Sequence, residues 1–315
     1  LGSWKFRTGL FLLIFSYFSF LLPEKFKNIG SLSFLLFAFI LGVIYICEAI
    51  TLVLKGKSLL FEIKKNRKNL FAFLIVSSVG AAILEIVVKW LGKLWIYPFY
   101  PGIGFAFYFV TFVPAFAAYW LLITESYLAT KAITDYLHKG KKIVGKLFSF
   151  EHIFYKLLGL IGILSILASI LLIRFNYLSQ MDPLITQEDL KLVTDNFRIN
   201  FSLIILLTIG FWFFFEFIEY HRKKTSLLKD ILHHYYSPVI SLLIGSFILA
   251  VLMEYQNIPV DLWVYINWPL EYITFLGLPL TVYLAWPLHY LMFLSLFRAF
   301  TSEESDEVWK SDTIP

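Results

Sequence analysis

The stretch LLFAFILGVIYICEAITLVLK, Leu35–Lys55, carries one charged side chain, Glu48, before its closing lysine. As a helix, roughly 20 apolar residues cover about 30 Å, the thickness of a bilayer's hydrocarbon core. A soluble amphipathic helix of that length would show a polar stripe, and this stretch has none. It reads as a membrane span, and the rest of the chain is read outward from it.

Of 315 residues, 59% are hydrophobic and 16% charged, where soluble domains carry about 25% charged residues. Apolar runs of similar length recur at roughly 8–23, 29–54, 69–91, 103–128, 153–175, 198–220, 236–254 and 273–298. The first run follows Lys5 and Arg7 without a small-residue cleavage site and reads as a retained signal anchor. The one cysteine, Cys47, lies inside a span, which excludes an intrachain disulfide and CxxC chemistry.

Positive residues alternate between connections. Lys55, Lys57, Lys64, Lys65, Arg67 and Lys68 occupy one connection, Lys131, Lys139, Lys141, Lys142 and Lys146 another, and Arg222, Lys223, Lys224 and Lys229 a third. Residues 255–272 contain no lysine or arginine, and 92–102 contain only Lys93. Residues 176–197 set Asp182, Glu188, Asp189 and Asp195 against Lys191. The positive-inside rule then places both termini in the cytoplasm of a cell (inner) membrane, with the aromatic connections outside.

The chain also matches itself. Gly42, Glu48 and Lys55 meet Gly210, Glu216 and Lys223 at an offset of 168 residues. LWIYPFY, Leu94–Tyr100, meets LWVYINW, Leu262–Trp268, at the same offset. With small gaps, Glu85 approaches Glu254 and Pro114 approaches Pro279. The expectation is an all-α integral membrane protein of about eight transmembrane helices, built as two tandem four-helix repeats. An even number of spans per repeat keeps both copies in one orientation, related by a pseudo-two-fold along the membrane normal. The repeats are 1–130 and 153–300. A basic interfacial linker, 131–152, joins them, and an acidic tail, 301–315, follows and reads as disordered or as a docking peptide.

The segments Glu85…Leu94-Trp95-Ile96-Tyr97…Pro114 and Glu254…Leu262-Trp263-Val264-Tyr265…Pro279…Trp286-Pro287 resemble an uncharacterised group of bacterial multi-pass membrane proteins. In that group a span ends in Glu, a Trp-x-Tyr loop follows, and the next span holds an internal proline. The resemblance implies the duplicated helical fold and no particular activity. A weaker resemblance is to small membrane-type lycopene cyclases, which duplicate a helical unit and act on a carotenoid. Those enzymes carry paired carboxylates in a Pro-x-Glu-Glu motif, where Pro269-Leu270-Glu271-Tyr272 keeps one.

Ionisable groups at membrane depth are candidate functional residues, because each costs roughly 2.5–3.5 kcal/mol to insert. An inner layer is formed by Glu48 and Glu216, with Glu125. An outer layer is formed by Glu85 and Glu254, beside Trp95, Tyr97, Trp263 and Tyr265. Lys89 follows Glu85 by four residues and predicts an exposed helical ion pair; Glu254 has no such partner. His289 lies inside a span, either as a packing residue or as a ligand-binding one, whereas His138, His152, His221, His233 and His234 fall at span ends. Pro114 and Pro279, placed within spans, predict kinks that open an aromatic-lined pocket between helices, with Pro287 as a second break.

No cofactor, metal or nucleotide motif is present. Three functions follow from this pattern. One is a scaffold or accessory subunit, partnered by membrane lipids and other membrane proteins rather than nucleic acid, and binding an apolar ligand at its aromatic side. Another is a membrane enzyme acting on an isoprenoid by carboxylate acid catalysis. The last is a secondary transporter.

Overall fold

Long apolar helices dominate the computed structural model, which describes residues 2–23, 26–65, 67–98, 105–137, 150–179, 197–258, 261–301 and 309. His138, the lysines at 139–146, the acidic connection around Asp182–Asp195 and most of the tail lie outside the described residues.

The helices, in chain order, are α1 (Gly2–Ser16), α2 (Ile29–Lys55), α3 (Leu59–Lys65) and α4 (Arg67–Ile83), the last continuing as a π-helix over Leu84–Leu91. They are followed by α5 (Phe105–Leu137), α6 (Glu151–Ser179), α7 (Phe201–His221), α8 (Leu227–Leu232), α9 (Ser237–Asn257) and α10 (Leu280–Phe300). Six of these are long and apolar enough to cross a membrane: α2, α4 with its π continuation, α6, α7, α9 and α10.

Helix α2 begins at Asn28, whose side chain accepts from the Ser31 amide in a capping box, and stops at Gly56. Gly56 has φ +69, a left-handed conformation that only glycine adopts without strain. Helices α1 and α2 pack backbone to backbone: a Cβ on Gly9 would lie 2.7 Å from the Gly42 carbonyl oxygen, and one on Gly42 2.8 Å from the Leu13 nitrogen. Helices α6 and α7 meet in the same manner, since a Cβ on Gly162 would lie 2.7 Å from the Phe214 nitrogen and 2.9 Å from the Gly210 carbonyl oxygen. In lipid no hydrophobic effect draws helices together, so close approach at small residues supplies the dispersion contact that does.

Helices α5 and α10 hold the centre. Trp120 stacks on Phe293 with 3.8 Å between ring centroids, Phe297 meets Phe73 edge-on, and Ser126 and Tyr290 share a 2.6 Å hydrogen bond. Each of these side chains is buried. At the lysine-rich end the short helices α3 and α8 are capped by Ser58 and Ser226, which accept from Phe61 and Lys229 amides. Helix α5 continues to Leu137, and Lys131 is buried against Asp135 at 3.0 Å. Trp309, in the acidic tail, is also buried, packed on Tyr127, Phe297 and the Arg298 guanidinium.

At the opposite end the two aromatic connections are not loose loops. Lys93 and Asp261 both take left-handed φ, 50° and 48°, and each turns the chain into a short strand. Strand β1 (Trp95–Ile96) pairs antiparallel with β2 (Val264–Tyr265), setting Trp95 opposite Tyr265 and Ile96 opposite Val264. The Trp268 indole donates to the Leu94 carbonyl at 2.8 Å and anchors the ribbon.

Two expectations from the sequence are corrected. The last span starts at Leu280 and not near 273, because residues 274–279 form a hairpin, β3 (Thr274–Phe275) with β4 (Leu278–Pro279). Its two-residue turn, Leu276-Gly277, has both φ angles positive, the geometry that matches strand twist in tight hairpins. Pro279 consequently sits at the N-cap of α10 and kinks nothing, while Pro114 and Pro287 do lie within helices. The Glu85–Lys89 pair forms at 3.3 Å, yet it is largely enclosed and not exposed.

Candidate functional site

Between the aromatic ribbon and the helices beneath it lies a cavity of about 800 Å³. Small-molecule sites span roughly 300–1,000 Å³. Its floor is α5 around Pro114–Tyr119 and α10 around Val282–Met292; its walls are the first turns of α2 and α7 and the π-helix. A π-helix breaks the regular hydrogen-bond ladder and is frequent at functional positions, and here it carries Leu84, Val87 and Val88 to the wall. Pro114 and Pro287, the prolines inside helices, flank this space, with Pro114 itself in the lining. These two prolines, unlike Pro279, stand inside helices where each removes a backbone donor.

The lining is overwhelmingly apolar and aromatic. Trp95, Tyr97, Trp263 and Tyr265 come from the paired strands and their flanks, and Tyr119 and Trp286 from α5 and α10. Glu254 enters from the last turn of α9. Its carboxylate is fully buried and accepts from the Tyr265 phenol at 2.5 Å and the Trp263 indole at 3.2 Å. Enclosure among the rings, and then the neighbouring carboxylate, push the Tyr265 phenol well above its usual range, so it stays a donor at neutral pH. Among the described residues no basic side chain forms a salt bridge with Glu254.

Glu85 occupies the comparable place below the other strand and is balanced differently. It accepts from the Tyr97 phenol at 2.7 Å and pairs with Lys89, whose ammonium lies 4.3 Å above the Tyr97 ring. Neither Glu85 nor Lys89 reaches the cavity lining, whereas Tyr97 does.

His289 lines the cavity and packs across helices. Its Nδ1 is 3.3 Å from the Tyr119 hydroxyl and its ring meets Trp120 edge-on. The Nε2 of His289 and the indole nitrogen of Trp95 are buried without a hydrogen-bond partner.

Glu48 and Glu216, the other candidates, lie away from this cavity. Glu48 pairs with Lys5 across the α1–α2 contact and accepts from Ser58 at 2.9 Å. Glu216 accepts from Ser226, from Trp212 at 3.1 Å and weakly from Ser295. Both are buried and each bonds the serine that starts a short helix to a span, although the Oε2 of Glu48 has no hydrogen-bond partner. The structure thus brings together Glu254, Trp95, Tyr97, Trp263, Tyr265 and His289, and leaves Glu85 just behind Tyr97.

Tyr119, Trp268 and Trp286 belong to the site and were not anticipated. The Trp286-Pro287 dipeptide was a visible signal for one of them, since a proline-broken helix beside a tryptophan marks an aromatic opening. Among the described residues no three His, Cys, Asp or Glu side chains group as a metal site would require. No family model, curated protein or solved structure matches the chain.

Proposed function

We propose that the protein holds an apolar, isoprenoid-sized lipid in the aromatic cavity. The observation that carries this reading is the cavity itself: about 800 Å³ of space walled by Trp and Tyr rings, with a few convergent polar groups. Such a combination of bulk apolar contact and sparse polar recognition is what apolar-ligand sites use. The test is native mass spectrometry of the full chain released from mild detergent. One bound apolar molecule per chain is expected, and Ala285→Trp, which fills the cavity from α10, should release it while the chain still melts in one cooperative transition.

The membrane arrangement belongs to the same proposal: eight spans as two tandem four-helix repeats, with the aromatic end external and both termini cytoplasmic. Support comes from features that recur 168 residues apart. Ser58 bonds Glu48 as Ser226 bonds Glu216, Gly42 and Gly210 each pack on a neighbouring helix backbone, and Lys93 and Asp261 share a left-handed φ. Ile96 pairs with Val264, its own counterpart, which is where a two-fold axis would pass. The distribution of lysine and arginine supports the orientation.

A second reading, catalysis on the bound lipid, is favoured by Glu254. In its protonated form the carboxylic acid would add a proton to a double bond of the ligand, and the carboxylate would take one back from the resulting cation. The product is an isomer of unchanged formula. Under this reading Glu254→Gln retains the ligand and abolishes its conversion.

A further inference from the structure

The two Glu–Tyr pairs differ in one respect that bears on what the cavity accepts. Below β1 the arrangement is complete: the Glu85 carboxylate, the Tyr97 phenol that donates to it, and the Lys89 ammonium lying 4.3 Å over the Tyr97 ring and 3.3 Å from Glu85. A carboxylate and an aromatic face thus hold a cation between them, and that cation is supplied by the chain one helical turn on. Beside β2 the carboxylate and phenol recur in Glu254 and Tyr265, with the Trp263 indole added. One turn after Glu254 stands Ile258, which supplies no charge. The Glu254 carboxylate is fully buried, no described basic side chain forms a salt bridge with it, and it contributes to the cavity wall.

From this contrast we infer that the cavity takes a lipophilic cation, an apolar molecule bearing one quaternary ammonium or phosphonium centre, with its charge beside Glu254 and Tyr265. The inference rests on the cavity being a ligand site and narrows the ligand's chemistry. Two physical terms favour it. A buried carboxylate without a counter-charge is stabilised by any cation brought near it in a medium of low dielectric. Aromatic faces add cation–π attraction, largest for Trp and for cations too weakly hydrated to resist leaving water. Trp263, Tyr265 and Trp286 all line the cavity and all hydrogen-bond Glu254, so aromatic rings surround the place where the charge would sit. His289 is the other side chain of the lining that could carry charge, and it is turned to Tyr119.

The experiment uses the full chain in mild detergent and two fluorescence-compatible probes. Tetraphenylphosphonium is the lipophilic cation, and all-trans-retinol is the neutral apolar control. Both should quench the cavity tryptophans and compete with each other. Glu254→Gln should weaken tetraphenylphosphonium at least about tenfold, the order expected for loss of one charge partner beside an aromatic site, and by clearly more than it weakens retinol. Ile258→Lys installs the lysine that Glu85 has; it should abolish cation binding and spare retinol, which also shows that the variant is folded. Retinol binding without tetraphenylphosphonium binding, or cation affinity indifferent to both substitutions, would overturn the inference and leave the cavity reading intact. Ala285→Trp separates the two claims: if it leaves retinol bound as tightly as before, the cavity reading itself fails.

Discussion

Tyr265 donates its phenol to the Glu254 carboxylate at 2.5 Å, across the junction between a paired strand and a membrane helix. The contact fixes the aromatic ribbon to the end of α9 and sets Trp263 beside it, so one carboxylate organises a cavity wall. Tyr97, just after the other strand, and Glu85 make the same contact at 2.7 Å, with Lys89 as a third member. The two contacts therefore bear different loads.

Removing the phenol should expose that difference. Tyr265→Phe leaves a buried carboxylate with the Trp263 and Trp286 side chains as its donors, and a hydrogen bond to a charged group contributes about 1.5–3 kcal/mol. Tyr97→Phe leaves Glu85 with its lysine and should cost less. Unfolding in mixed detergent, followed by tryptophan fluorescence, compares the pair; equal losses would mean that Lys89 contributes nothing to holding Glu85.

Helix approach at glycine gives a second expectation. Gly42→Val places a side chain where the Leu13 backbone already stands, at a Cβ distance of 2.8 Å. Overpacking of that kind costs about 1–3 kcal/mol, and here the obstacle is backbone that cannot rotate away. Gly162→Val should behave alike at the α6–α7 contact. Gly30→Ala, whose Cβ meets only the Asn28 side chain at 3.3 Å, is the tolerated control. Thermal denaturation of the three variants ranks them.

Arg298 and Glu219 form an almost fully buried ion pair at 2.6 Å at the lysine-rich end. Breaking such a pair from one side leaves an isolated buried charge and costs about 3–5 kcal/mol. Arg298→Met and Glu219→Gln should each destabilise by that order, and the double variant by clearly less than the sum. An additive result would show that the two side chains do not act as a unit. Trp309 packs over the same guanidinium, so the variant Trp309→Ala should weaken this end as well.

Asp230 sets a pH dependence. It lies on α8, outside the spans, and burial raises its carboxyl to about 7 from an ordinary 3.8; Lys131, Arg298 and Lys229 act against the rise and Glu216 with it. The folded state thus holds this proton more tightly than the unfolded chain. Its contribution to stability is full below about pH 4, declines as pH rises toward 7, and is gone above. Melting temperature measured across that window for the wild type minus that for Asp230→Asn should fall with rising pH. A flat difference would contradict the assignment.

Much of this arrangement is legible in the residues, because membrane helices announce themselves by length and apolarity alone. The two Leu-Trp-x-Tyr stretches lie side by side in the ribbon, and Glu254 is marked in the sequence by lacking a basic neighbour four residues on. What stayed hidden has physical causes. In a chain this apolar, the hairpin at Thr274–Pro279 has no polar turn to mark it; Leu276-Gly277 is a left-handed turn written in residues that also suit a span. The burial of Lys131 and Trp309 depends on partners from distant segments, Asp135 aside. A cavity is made of the spaces between side chains, so Tyr119 and Trp286 could be assigned to it only once α5 and α10 were placed.

The most direct test of the ligand cavity is an experimental density map of the full chain in lipid nanodiscs, read at the space between Trp95, Tyr119, Trp286 and Tyr265. The account predicts an open chamber holding elongated density that ends beside Glu254. Rings collapsed onto one another, with Ala285 packed against the aromatic ribbon and no space for a ligand, would contradict it.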